Sequence, residues 1–339
     1  RSGALVIAIA SALPTEEFGT AYFQETNTIR LFDDCSYYNQ MATTPEQLPR
    51  MLQCAMQTAV TRRGVAVIGL PGDLAMKDTG EILSSSSVFQ ARADVCPPEA
   101  ELQKLADLLN DTSTVTLFCG IGAKDAHEEI VELSQRLHAP VAYSFKSKME
   151  IQYDNPNEVG MTGLLGMPSG YESMHAADVL LMLGTDFPYT PFLPVHNKIV
   201  QIDIDPERLG RRAKLCMGLC GDIKTTLNAL LPKIQAKSDK SFLNDQLLGY
   251  SKVKEHLRAY VEDKGTDNKI HPEYVMAMVN EVANADAAAD EQRETRCKRG
   301  KAEAAALNEH KQNALPEIRP VYKRVIHGKA RDTRGGGRR

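Results

Sequence analysis

Asp178-Val179-Leu180-Leu181-Met182-Leu183 and Lys198-Ile199-Val200-Gln201-Ile202 are short, unbroken apolar runs, and each ends in a turn. Gly184-Thr185-Asp186-Phe187-Pro188 follows the first and Asp203-Ile204-Asp205-Pro206 the second. Continuous rather than alternating hydrophobicity marks strands covered on both faces, as in a parallel sheet flanked by helices. Proteins of this kind hold ligands beyond the carboxyl ends of their strands. A carboxylate there can accept hydrogen bonds from a ribose or an adenine, and a glycine lets a ligand approach the backbone. Asp186, Asp203 and Asp205 have that placement, whereas Asp178 opens its strand and belongs to the opposite edge. For Asp203 the alternative is a local hydrogen bond to the turn beginning near Pro206.

Working outward, helix and strand alternate on both sides. Glu99 to Leu109 reads as a helix, Thr114 to Cys119 as a strand, Asp125 to Leu137 as a helix and Val141 to Ser144 as a strand. This rhythm predicts an α/β fold with a doubly wound parallel sheet. Lys214 to Leu219 adds another strand, and Asp222 is placed to cap a helix over Ile223 to Ile234. Upstream, Ala4 to Ala10 reads as a core strand rather than a signal peptide, since it is short and runs into a turn at Pro14. A helix over Pro45 to Arg63 and a strand over Val65 to Leu70 follow. Between about Thr79 and Pro98 the periodicity is lost, through Ser84-Ser85-Ser86-Ser87 and Pro97-Pro98, which predicts an inter-domain linker. Asp239 to Asp263 is helical but polar, as in a connector, and His271 to about Ala285 starts a further helix.

The 339 residues suit two domains or slightly more, with 42% hydrophobic and 25% charged residues and a net charge of -4. Such a balance argues against nucleic acid as the partner of the whole chain. No apolar run approaches the length of a membrane span. Seven Cys without a disulfide framework suggest a reducing, cytoplasmic compartment. From Ala287 to Arg339 the sequence holds 14 Lys or Arg against 7 Asp or Glu and ends in Arg334-Gly335-Gly336-Gly337-Arg338-Arg339. That segment reads as a basic tail without a packed core.

Further candidate site residues lie along the same edge. Gly120-Ile121-Gly122-Ala123 joins a strand to a helix, so its amides could face a phosphate or simply form a tight turn. Lys146, like Lys148, follows the strand Val141 to Ser144, where an ammonium group could neutralise phosphate or be solvated. Met161-Thr162-Gly163-Leu164 offers an open backbone against a flat ring system. Elsewhere, Tyr22-Phe23-Gln24-Glu25-Thr26 combines an aromatic, an amide and a carboxylate in a polar loop, and could shape a small-substrate pocket. The eight His form no nucleophile pattern with Ser or Cys, which leaves a hydrolase without support.

Together with Pro71-Gly72-Asp73 and Gln201-Ile202-Asp203-Ile204-Asp205-Pro206-Glu207-Arg208-Leu209-Gly210, these motifs resemble, in order and spacing, the pyruvate oxidase branch of the thiamine-diphosphate enzymes. The resemblance covers about residues 4 to 286. It implies that residues 1–80 are the later part of a pyrimidine-binding domain, 81–98 a linker and 99–235 a central Rossmann-like FAD-binding domain. Residues 236–270 would then be a connector, 271–286 the start of a pyrophosphate-binding domain and 287–339 a non-native or disordered tail. It further implies thiamine diphosphate, Mg²⁺ and FAD as cofactors and pyruvate or a similar small 2-oxo acid as substrate. A quinone or oxygen is implied as electron acceptor, with assembly as a homo-oligomer, a tetramer in the family. The implied location is the cytoplasm, peripheral to the inner membrane in the quinone-linked relatives. Residue by residue, Met161, Thr162, Gly163, Leu164, Gly184, Thr185, Asp186, Phe187, Pro188, Ile202 and Asp203 fall on FAD-contacting positions. Gly120, Gly122, Lys146 and Asp222 lie in the same domain's loops, and Phe23 and Gln24 on an active-site segment. The family's catalytic glutamate would lie upstream of Ala4, and its Gly-Asp-Gly metal motif is not found. The resemblance therefore implies a fragment unable to turn over pyruvate alone, the alternatives being a non-catalytic FAD- or nucleotide-binding module and an acetolactate synthase-like carboligase fragment.

Overall fold

The computed structural model describes residues 5–80, 87–89, 93–262 and 270–282. The expected basic tail and half of the linker expected over 81–98, including Ser84 to Ser86, lie outside these residues. The chain divides into two compact units between Asp94 and Val95.

The first unit contains β1 (Val6–Ala12), α1 (Thr28–Phe32), β2 (Tyr38–Met41), α2 (Leu48–Arg62) and β3 (Val65–Pro71). Its strands form a parallel sheet in the order β1-β3-β2. Ala55 and Ala59 of α2 pack on Ala66 and Ile68 of β3, so the small side chains bring helix and sheet close together. The helix expected from Pro45 begins at Leu48, after a 3₁₀ turn over Pro45–Gln47. β1 corrects the reading of Ala4 to Ala10 as a core strand. It is an edge strand, with Val6, Ile7 and Ile9 exposed.

The second unit runs through α3 (Glu99–Asp111), β4 (Val115–Cys119), α4 (His127–Leu137), β5 (Val141–Tyr143), α5 (Lys148–Ile151) and β6 (Glu158–Met161). It continues with α6 (Pro168–Ala176), β7 (Val179–Leu183), β8 (Lys198–Asp203), β9 (Met217–Cys220), α7 (Ile223–Leu230), α8 (Ser241–Glu262) and α9 (Pro272–Val282). The six strands are all parallel, in the order β6-β5-β4-β7-β8-β9. The order reverses between β4 and β7, which defines the switch point of a doubly wound sheet. The expected α/β parallel architecture is therefore the observed one.

The unbroken apolar runs have a direct structural reading. Val115, Leu117 and Cys119 of β4 and Val179, Leu181 and Leu183 of β7 face a core shared with α3, α4 and α7. Phe118, Leu180 and Met182 face the other layer, with Met174 of α6 and Tyr250 of α8. Both faces are buried, so every residue of these strands must tolerate an apolar interior. Thr116 does so because its hydroxyl donates to the Ser173 carbonyl at 2.7 Å.

The polar segment expected as a connector contains a docked helix. α8 packs on α6 and β6 and buries Leu243 and Tyr250. Glu158, at the start of β6, accepts the Tyr143 and Tyr250 hydroxyls on its two oxygens, each at 2.7 Å. Sequence periodicity had not marked β2, β6 or α6. β6 carries Gly160 at φ +95° and a register shift against β5, which breaks the regular strand pattern.

Candidate functional site

At the carboxyl edge of the large sheet, the loops after β4 and β7 meet backbone to backbone. The Gly184 amide donates to the Ile202 carbonyl at 2.9 Å, which carries the sheet one residue past β7. Gly184 adopts φ +60°, and a side chain there would place its Cβ 2.6 Å from the Gly122 carbonyl carbon. The Gly120 amide donates to Leu183, Gly122 to Gly184 and Ala123 to Gly120. These three amides are thus satisfied inside the protein. The glycines serve the contact between two loops, and the Gly120 and Gly122 N–H groups do not form a phosphate cradle.

Asp203 ends β8 and is 1% exposed. Its Oδ1 accepts the Asp205 amide at 3.0 Å, with an Arg208 guanidinium nitrogen 3.8 Å away. Its Oδ2 is buried and accepts nothing from the protein. Burial pushes the carboxyl pKa upward, against the lowering pull of the Asp205 amide and Arg208. A ligand hydroxyl donating to Oδ2 would satisfy the group. Ile202, by contrast, points into the core, and only its backbone reaches this edge.

Thr162 repeats the pattern at the end of β6, with a buried hydroxyl that has no partner. Gly163 follows at φ +122°, and any Cβ there would come 3.4 Å from the Phe187 ring. Met161 belongs to the core. Phe187 is itself buried edge-on against Phe118, with ring centroids 5.1 Å apart, so it braces the site from below. Thr185 is buried, and its carbonyl accepts the Gln201 amide at 3.0 Å. Pro188 is exposed beyond it.

The rim has two chemical halves. Over β4, β5 and β6 it presents exposed Ile121, Phe145, Leu164 and Leu165, with exposed Lys146 beside Phe145. Over β7 and β8 it is charged. The Asp186 carboxylate accepts from both Arg211 and Arg212, and Arg208 pairs with Asp205 at 3.1 Å. These arginines were missed in the sequence, although Arg208-Leu209-Gly210-Arg211-Arg212 stands a few residues beyond the decisive strand end. Asp222 caps α7, its Oδ1 accepting the Thr225 amide at 3.1 Å, so its side chain is committed to the helix. Phe23 and Gln24 belong to the first unit. There Gln24 takes φ +63° and Phe23 is 79% exposed. Among the described residues, no group of three His, Cys, Asp or Glu is placed to hold a metal ion.

A cleft of about 710 Å³ lies at the opposite edge, lined by Thr112, Ser113, Asp178 and Asn197 among others. The Asp178 carboxylate there already accepts the Thr114 amide and hydroxyl at 3.1 and 2.8 Å. Size alone therefore does not make it the site, and the unsatisfied groups point to the carboxyl edge.

A doubly wound parallel sheet with unsatisfied buried polar atoms at its carboxyl edge has the architecture in which α/β proteins hold ligands. Residues 102–230 match the thiamine pyrophosphate enzyme central domain. The chain is 46% identical over 258 residues to a 42.6 kDa uncharacterized protein of Pseudomonas amyloderamosa, a match covering 76% of this chain and 65% of that protein. It is 32% identical over 288 residues to a putative thiamine pyrophosphate-containing protein of Bacillus subtilis, covering 84% and 49%. Against the pyruvate oxidase of Lactiplantibacillus plantarum it is 26% identical over 287 residues, covering 83% and 47%. Acetolactate synthases match at 24–28% identity. The matches thus span from about half to about two thirds of these relatives' length. Over residues 102–230 the chain thus carries the central domain of the thiamine pyrophosphate enzymes. No helix among the described residues is long and apolar enough to cross a membrane.

Proposed function

We propose that the large sheet is the FAD-binding middle domain of a pyruvate oxidase-type enzyme, one that oxidatively decarboxylates a small 2-oxo acid with thiamine diphosphate. The observation that carries the reading is the buried, partnerless Oδ2 of Asp203 at the end of β8. An adenosine ribose supplies the donor this oxygen lacks, and the apolar rim from Ile121 to Leu165 suits a flat flavin ring. Bound FAD supplies a two-electron acceptor that can pass reducing equivalents to a quinone or to oxygen. The chain's own residues do the holding. Asp203 orients the ribose, Thr162 and Gly163 give the ring a close backbone, and Phe145 and Leu164 exclude water. In the first unit, the fixed loop carrying Phe23 and Gln24 suits a substrate wall with one amide donor. The proposal includes assembly as a homo-oligomer, as the family resemblance implies.

Equilibrium titration of the purified chain with FAD tests the reading, followed by flavin absorbance and fluorescence. A perturbed flavin spectrum, lost in Asp203→Ala, is the expected result. An unchanged free-flavin spectrum at saturating protein refutes it. A second reading, an acetolactate synthase-like carboligase, draws on the acetolactate synthases among the relatives. It predicts that flavin bound in the complete enzyme is not reduced when pyruvate is added.

A further inference from the structure

Asp186 carries two guanidinium groups on one carboxylate. Arg211 donates to it through Nε, at 3.2 Å, and through Nη2, and Arg212 donates through Nε at 3.1 Å. Two guanidinium groups thereby converge on one carboxylate at the end of β7, with Asp205 and Glu207 also acting electrostatically on Arg211. The balance reverses at the end of β8, where Asp203 and Asp205 share Arg208 and Glu207 stands beside them. Both arginines of the Asp186 pair are substantially exposed, and the two Nη groups of Arg212 take no part in the Asp186 contact. The rim therefore runs, in spatial order, from apolar over β6 to β4, through cationic at β7, to acidic at β8.

Resting on the reading of this edge as a dinucleotide site, we infer that Arg211 and Arg212 are the diphosphate-binding residues of the chain. Asp186 is their resident counter-ion, displaced when the diphosphate binds. The sequence of chemistry along the rim matches that of a flavin dinucleotide: flat apolar ring, anionic diphosphate, hydroxyl-bearing ribose. A guanidinium fork can exchange a carboxylate for a phosphate without new geometry, because both present two oxygens in a plane. Asp186 is only partly buried at the rim, so water can solvate its carboxylate once the arginines turn to the diphosphate.

The signs of the mutational effects separate this role from a structural one. In the full chain, Arg211→Gln with Arg212→Gln is expected to weaken FAD and ADP binding by about tenfold or more while leaving adenosine binding unchanged. Asp186→Asn frees the arginines and is expected to tighten ADP and FAD severalfold. Calorimetric titrations at two salt concentrations read both effects, and circular dichroism checks that the variants fold. Should the glutamine pair not fold, Asp186→Asn and the milder Arg212→Lys carry the test. If Asp186→Asn weakens ADP as much as the arginine substitutions do, the three residues are a structural brace and the inference is overturned. Unchanged ADP affinity in the glutamine pair overturns it too, while leaving the flavin-site reading intact. Failure of the wild-type chain to bind either FAD or ADP removes the reading itself.

Discussion

Removing the Glu158 carboxylate should unfasten α8 from the large sheet. Tyr143 is 1% and Tyr250 4% exposed, and each hydroxyl has Glu158 as its hydrogen-bond acceptor. Glu158→Ala removes the shared acceptor of two buried phenols, at about 1–3 kcal/mol for each donor left unpaired. Glu158 is itself only half-buried, so water can enter beside it and the lower half of that range applies. The expected loss is about 2–4 kcal/mol, a large part of the margin of an ordinary domain. The triple variant Tyr143→Phe, Tyr250→Phe, Glu158→Leu removes donors and acceptor together and should recover much of the loss. Urea unfolding followed by circular dichroism measures both variants. Hydrogen exchange across Ser241–Glu262 reports whether the loss is concentrated in α8. A Glu158→Ala cost below about 0.5 kcal/mol, or a triple variant no more stable than the single one, would refute the reasoning.

Three further outcomes follow from the same structure. Burial first, and the adjacent carboxylate second, push the Tyr143 and Tyr250 pKa values upward. The unfolded chain releases these protons near pH 10 while the folded one keeps them, so stability should fall as pH rises above about 10. Tyr143→Phe with Tyr250→Phe should flatten that decline in urea titrations. Gly184→Ala forces a left-handed backbone on alanine and a Cβ against Gly122. A cost of about 2–5 kcal/mol is expected, read as a lowered urea midpoint. The raised Asp203 pKa means that the folded state holds a proton the unfolded state has already lost. Its contribution to stability is therefore greatest at low pH and falls as pH rises from about 4 through the folded value. Asp203→Asn should flatten that segment of the stability–pH curve, and loss of FAD binding in the same variant would tie the group to the ligand.

The large sheet was legible because burial on both faces leaves a plain mark, an apolar run with no alternation. β7 and β8 carry that mark without interruption, and the turns after them locate Asp186 and Asp203. The same rule misled at β1, where an equally apolar run lies at a sheet edge. Nothing in Val6-Ile7-Ala8-Ile9 distinguishes a covered strand from an exposed one, since the neighbour that decides it is distant in sequence. The glycines after β4 were legible as a tight turn, but not as partners of Gly184, because that contact joins residues about sixty positions apart. Arg211 and Arg212 escaped because ordinary surface arginines look the same. Only their convergence on one carboxylate separates them.

The interlocked glycines also bear on how such a site can diversify. The loops after β4 and β7 are sutured through their main chains, so neither can lengthen or take up side chains at the joint without disturbing the other. Changes in ligand preference must therefore come from the flanks, in Leu164-Leu165 after β6 and Arg208 to Arg212 after β8. A library varied only at those two flanks would sample the site's reachable chemistries while leaving its keystone in place.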